Sequence, residues 1–136
     1  MNQTPVPAKE TRFRFEKLEV WQEARQLNRE VYRIVRALPL TEQYALTSQM
    51  QRASISIAAN IAEGAGRNSD KDFAHYLEQA YGSAMELASH LYLATDLGYI
   101  ESSAQESCLT QLNQLAARIA ALNRSLDIKS SKVRIP

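Results

Sequence analysis

The sequence predicts an all-α protein, an antiparallel up-down-up-down four-helix bundle. Three observations point there. Four separate stretches carry apolar residues at alternating spacings of three and four, the mark of a helix with one buried face. No proline occurs between Leu40 and Ile135, which suits long helices and not a turn-rich β fold. The 136 residues are 45% hydrophobic and 23% charged, enough apolar material for one core in one domain.

The elements follow in chain order. Residues 1–12 are polar and carry Pro5 and Pro7, so they read as a flexible tail before a bundle over residues 13–126. The first seam is Val20, Ala24, Leu27, Val31, Ile34 and Leu38, with Trp21 expected to pack into the bundle. Pro39 ends this helix, and Thr41 is placed to cap the second. The second seam is Leu46, Met50, Ala53, Ile57 and Ile61, closed by Gly64 and Gly66. Ser69, with Asp72 three residues on, is an N-cap signal for the third helix. Its seam is Phe73, Leu77, Ala80, Ala84, Leu87, Leu91 and Ala94, and Gly98 ends it. Ser102 with Gln105, or Ser103 with Glu106, restarts the chain into the fourth helix. That seam is Cys108, Leu112, Leu115, Ile119, Leu122 and Leu126. Residues 127–136 read as a basic flexible tail. Connections of about two to six residues make consecutive helices antiparallel neighbours.

The seams are rich in alanine, which allows close helix approach but buries little area per residue. Such a bundle gains from burying more surface between subunits. Gly82 points the same way. It lies almost opposite the third seam, and a mid-helix glycine costs about 1 kcal/mol relative to alanine. Close packing of another backbone against that face would offset the cost.

Several function classes are excluded. A single cysteine, Cys108, cannot build an intramolecular disulfide framework and fits a reducing compartment. No apolar run is long enough for a membrane helix, and residues 1–7 lack the apolar stretch of a signal peptide. A cytoplasmic location is the expectation, without membrane association. The only histidines are His75 and His90. His75 with Glu78 projects away from the seam, so a di-iron bundle site is not expected. No phosphate-loop, dinucleotide or Cys-x-x-Cys motif is present. The chain reads as a non-enzyme without metal or cofactor.

The formal net charge of +1 conceals a separation. Residues 1–38 carry net +3, residues 39–68 zero, residues 69–101 net −5 and residues 102–136 net +3. Arg25, Arg29, Arg33 and Arg36 follow spacings of four, four and three. They form one row opposite the apolar seam. Glu16, Glu19, Glu23 and Glu30 fall on another flank. The row fits a solvated face, a subunit interface or a phosphate-binding surface; guanidinium forks match phosphate oxygens. Arg12, Arg14, Lys17, Lys129, Lys132 and Arg134 are candidates to extend it.

Two polar stripes flank the inner seams. One is Gln49, Arg52, Ser56, Asn60 and Glu63; the other is Asp72, Tyr76, Gln79, Ser83, Glu86 and His90. Polar groups so near a core need partners on the facing helix or a neighbouring subunit. Arg52 is expected to meet Glu86.

The segment from Gln49 to Gly64, with its Arg52-Ala53 and Asn60-Ile61-Ala62-Glu63-Gly64, resembles the signature of the proteins encoded in intervening sequences of bacterial 23S rRNA genes, the S23 ribosomal protein family. Phe15 to Ala24, Leu38-Pro39, Ala80 to Leu87 and Leu97 to Ile100 extend the similarity over roughly residues 13–125. The resemblance implies a four-helix bundle assembling into a ring, typically a homopentamer. Related proteins include the accessory variability determinant of diversity-generating retroelements, which binds nucleic acid and a reverse transcriptase. The resemblance therefore implies RNA or DNA, a reverse transcriptase and further copies of the chain as partners. Those relatives are markedly basic, whereas this chain is nearly neutral, which argues against indiscriminate polyanion binding. The two functional expectations are an accessory bundle binding nucleic acid through the Arg row, and an assembly module without nucleic acid.

Overall fold

A computed structural model describes the backbone of residues 11–133 and the side chains of residues 11–127. Residues 1–10 of the N-terminal tail lie outside the described residues, as do the side chains of Lys129, Lys132 and Arg134. One turn of 3-10 helix, Arg14–Lys17, leads into α1, Glu19–Ile34. Then come α2, Leu46–Ala65; α3, Asp70–Asp96; and α4, Ser102–Val133. The described residues contain no strand.

Each helix packs on two others. α2 lies against α1 and α3, and α4 against α3 and α1; the backbones of the diagonal pairs do not approach closely among the described residues. The four helices therefore stand around one core. Their seams are the core: every seam residue of α1 and α3 is buried, as are Met50, Ala53, Ile57 and Ile61 of α2. Cys108, Leu112, Leu115, Ile119 and Leu126 complete it from α4, with Leu46 and Leu122 partly buried at its edges. Full burial of each leucine or isoleucine contributes about 1.5–3 kcal/mol. Trp21 packs against this core from its edge.

The helix ends differ in part from the expectation. α1 gives way at Ile34 to a 3-10 turn, Val35–Ala37, before Pro39 stops it. Thr41 does not cap α2; it lies in a separate turn, Leu40–Glu42, and the N-cap is Ala45. The orphan N–H of Leu46 donates instead to Glu42 Oε1 at 3.3 Å. Glu42 Oε2 accepts the Tyr99 hydroxyl at 2.8 Å, which raises the Tyr99 pKa and ties the α1–α2 connection to the α3–α4 connection. Ser69 caps α3 as expected, its hydroxyl accepting the Asp72 N–H at 3.1 Å. Gly98 takes φ +78°, with Gly98 N–H on Thr95 O and Tyr99 N–H on Ala94 O. This paired pattern closes a helix C-terminus and favours glycine there. Ser102 and Ser103 lie inside the first turn of α4, not before it. The α4 backbone continues through residues 127–133, beyond the expected end of the bundle.

Gly66 is the C-cap of α2 as expected, and Gly64 lies one residue before the last of the helix, buried within it. A Cβ at Gly64 would sit 2.7 Å from Tyr76 Cβ and 2.9 Å from Phe73 Cδ1. Its missing side chain is what lets α3 approach α2 here. At Gly82 a Cβ would meet nothing within 4 Å. Among the described residues no other backbone packs on that face.

Candidate nucleic-acid interface

The α1 face opposite the core carries the Arg row. Arg25, Arg29, Arg33 and Arg36 are all exposed. The step of three to Arg36 falls on the 3-10 turn, where residues three apart align, so the row continues past the end of α1. Arg33 is held by both carboxylate oxygens of Glu30, whose hydrogen bonds raise its pKa. Arg25 lies over the Trp21 ring at 5.5 Å, a cation–π arrangement. Arg29 and Arg36 have no hydrogen-bond or ion-pair partner among the described residues. Two donor forks of the row therefore face solvent without a bonded carboxylate.

The acidic flank is engaged elsewhere. Glu23 accepts a hydrogen bond from Arg118 of α4, which raises the Arg118 pKa. Glu16 Oε1 accepts the Phe13 N–H at 3.2 Å. Arg12 and Arg14 are exposed in the segment before α1. Arg14 Nη1 donates to the carbonyl of Arg67 at 3.3 Å, tying this segment to the α2–α3 connection.

The inner polar stripes meet only in their middle. The Ser56 and Ser83 hydroxyls share a hydrogen bond of 2.8 Å between α2 and α3, and Asn60 Nδ2 donates to Ser56 O and Oγ at 2.9 and 3.0 Å. Arg52 does not reach Glu86. Both are exposed, and each bonds along its own helix, Arg52 to Gln49 Oε1 at 2.7 Å and Glu86 to His90 at 3.3 Å. A long exposed side chain gains little from a cross-helix pair that solvent already satisfies. Glu63 pairs with Arg67, which also donates to the Tyr76 hydroxyl and lies over that ring at 4.8 Å.

The sequence reading missed the one buried polar residue among the described residues, Ser54, which donates to Asn28 Oδ1 at 2.9 Å between α2 and α1. Its signal was a small polar residue next to the seam residue Ala53. It also missed Arg67 with Tyr76, which a long-range approach brings together.

Other chemistry finds little footing among the described residues. They contain no group of three His, Cys, Asp or Glu placed to hold a metal ion. Cys108 is buried, and burial pushes its thiol up to about 11, which suppresses the nucleophilic thiolate. Two open grooves run between α3 and α4, of about 1000 Å³ and about 400 Å³. No helix among the described residues is long and apolar enough to cross a membrane.

Comparison with curated proteins gives no match. Among solved structures, the chain is similar to a protein of unknown function from the S23 ribosomal protein family of Bacteroides thetaiotaomicron. The TM-score is 0.70 at 24% identity, over 76% of this chain and 97% of that one. That likeness establishes the shared fold. The family model of the 23S rRNA-intervening sequence protein matches residues 16–121, most of the described bundle. The chain belongs to the 23S rRNA-intervening sequence protein family.

Proposed function

We propose that this protein is a non-enzymatic, ring-forming bundle that binds structured RNA or another nucleic acid through the Arg face of α1. The observation that carries this reading is the exposed row of Arg25, Arg29, Arg33 and Arg36, in which only Arg33 is bonded to a carboxylate among the described residues. Such a row positions phosphates and does not read bases. A buried free thiol suits a reducing cytoplasm. Antiparallel order of the helices is supported by the cross-helix register. Ser56 meets Ser83 where Gly64 meets Tyr76, and Glu23 meets Arg118 where Glu30 acts on Cys108.

The test is binding to an RNA hairpin at rising salt. The doubly substituted Arg29→Ala/Arg36→Ala protein should bind more weakly, with a log–log salt slope flatter by about one to two units. Undetectable wild-type binding at low salt, or a slope indifferent to these residues, overturns the reading.

A second reading, assembly without nucleic acid, has its own support. Tyr81, Met85 and Tyr92 are exposed along α3 beside the two grooves, and Gly82 adjoins them. Residues 69–101 are net −5 and residues 1–38 net +3, so one subunit's α1 complements the next one's α3. A repeated contact of this head-to-tail kind closes into a ring when the rotation per subunit allows, and the family resemblance makes that ring a pentamer. Light scattering that returns only the 15.3 kDa chain at micromolar concentration removes the ring from both readings.

A further inference from the structure

An aromatic stack stands at the tip of the bundle where α1 begins. The Phe13 and Phe15 rings are parallel within 2°, centroids 5.7 Å apart. Phe15 meets Trp21 edge-on at 4.7 Å, and Trp21 lies under the Arg25 guanidinium. The stack has a fixed inner end: Phe15 and Trp21 pack against the core. Its outer end is open, because Phe13 is 58% exposed. One face of that ring rests on Phe15 and the other has no aromatic partner among the described residues.

The segment around this open ring carries three cations and two carboxylates, Glu16 and Glu19. Arg12, Arg14 and Lys17 are exposed in the same segment. Glu16 is already engaged by the Phe13 N–H. At its inner end the stack hands over to Arg25, the first member of the α1 row.

The ring is exposed, parallel to a second one, and lies in a segment that carries Arg12, Arg14 and Lys17. An unpaired nucleobase gives that arrangement a use. Every base has a π-face that stacks on an aromatic ring, and its phosphates need cations on either side. A paired base inside a duplex cannot offer that face.

We propose that Phe13 is a stacking platform for an unpaired nucleotide, with Arg12, Arg14 and Lys17 on its phosphates and the adjoining strand led onto the α1 Arg row. The proposal rests on the nucleic-acid reading above and names its ligand: a single-stranded segment, such as a loop or an end, in place of a continuous duplex.

Fluorescence anisotropy at low salt, with labelled oligouridylate, oligothymidylate and a blunt RNA duplex of equal length, tests it. Phe13→Ala should weaken binding of a single strand about tenfold and leave duplex binding within twofold. Phe13→Tyr, which keeps the ring, should bind like the wild type. An effect on one single strand alone supports the proposal and names RNA or DNA as the source. If Phe13→Ala leaves all three probes unchanged, or weakens all three equally, the platform is refuted while the Arg face stands. If the wild type binds none of the probes, the Arg-face reading falls and the platform with it.

Discussion

Two glycines, one in the last turn of α2 and one in the middle of α3, have opposite surroundings. Gly64 lies where α2 meets α3, and a side chain there would collide with Tyr76 and Phe73. Gly82 lies on the outer face of α3, and a Cβ there would meet nothing within 4 Å among the described residues. The sequence placed a helix end at Gly64 and Gly66, and at Gly82 a close approach by a neighbouring subunit. The difference separates two kinds of polar or small residue in a bundle. Small residues at or beside the seams become packing, as Gly64, Ser54 and Ser56 do, while long polar ones beside them, such as Arg52 and Glu86, and the Arg row opposite stay at the surface. Distance from the seam and side-chain length decide together between the two fates.

The largest expected effect is at the packed glycine. Gly64→Ala places a methyl 2.7 Å from Tyr76 Cβ, an atom fixed to its own backbone. The helices must move apart there, at a cost of about 1–3 kcal/mol. A gain in helix propensity of at most about 1 kcal/mol offsets part of it. Net destabilisation of about 2 kcal/mol in urea denaturation is the expected result. A stability equal to wild type would mean that α2 and α3 do not approach closely here.

Next comes the buried hydroxyl. Ser54 is 1% exposed and donates to Asn28 Oδ1. Ser54→Ala removes the donor and leaves the Asn28 amide to find solvent from a half-buried position. The expected loss is about 1 kcal/mol. Adding Asn28→Ala to Ser54→Ala should then cost less than the separate effects combined, since neighbours that share a bond are not additive. Strict additivity would break the pairing of α1 and α2 at this point.

The core was legible because it depends on one periodic rule. Val20 through Leu38 and Phe73 through Ala94 came out buried residue for residue, since a repeat of three and four turns one face inward whatever the loops do. Caps were legible where one side chain serves the next turn, as Ser69 does. They failed where the partner is distant in sequence or lies in a separate turn: Glu42 took the role given to Thr41. The candidate site divides the same way. The exposure of the Arg row followed from its spacing opposite the seam. The Phe13 stack and the Arg14–Arg67 contact did not, because they join residues through a 3-10 turn and a loop that carry no period.

The smallest effect bears on the outer glycine, and its sign carries the information. Within one chain, Gly82→Ala removes the entropic cost of a mid-helix glycine and meets no obstacle, so the dilute, monomeric protein should gain about 0.5–1 kcal/mol. In the proposed ring, Gly82 lies beside the exposed Tyr81 and Met85 and faces a neighbouring subunit. A methyl there holds the neighbour's backbone away, so the same substitution should shift light scattering toward smaller species. Higher stability with weaker assembly is therefore the expected pair of results. Higher stability with unchanged assembly would make Gly82 an ordinary surface residue and move the subunit contact to another face. The two glycines would then differ more sharply still, one required by packing within the chain and the other by nothing at all.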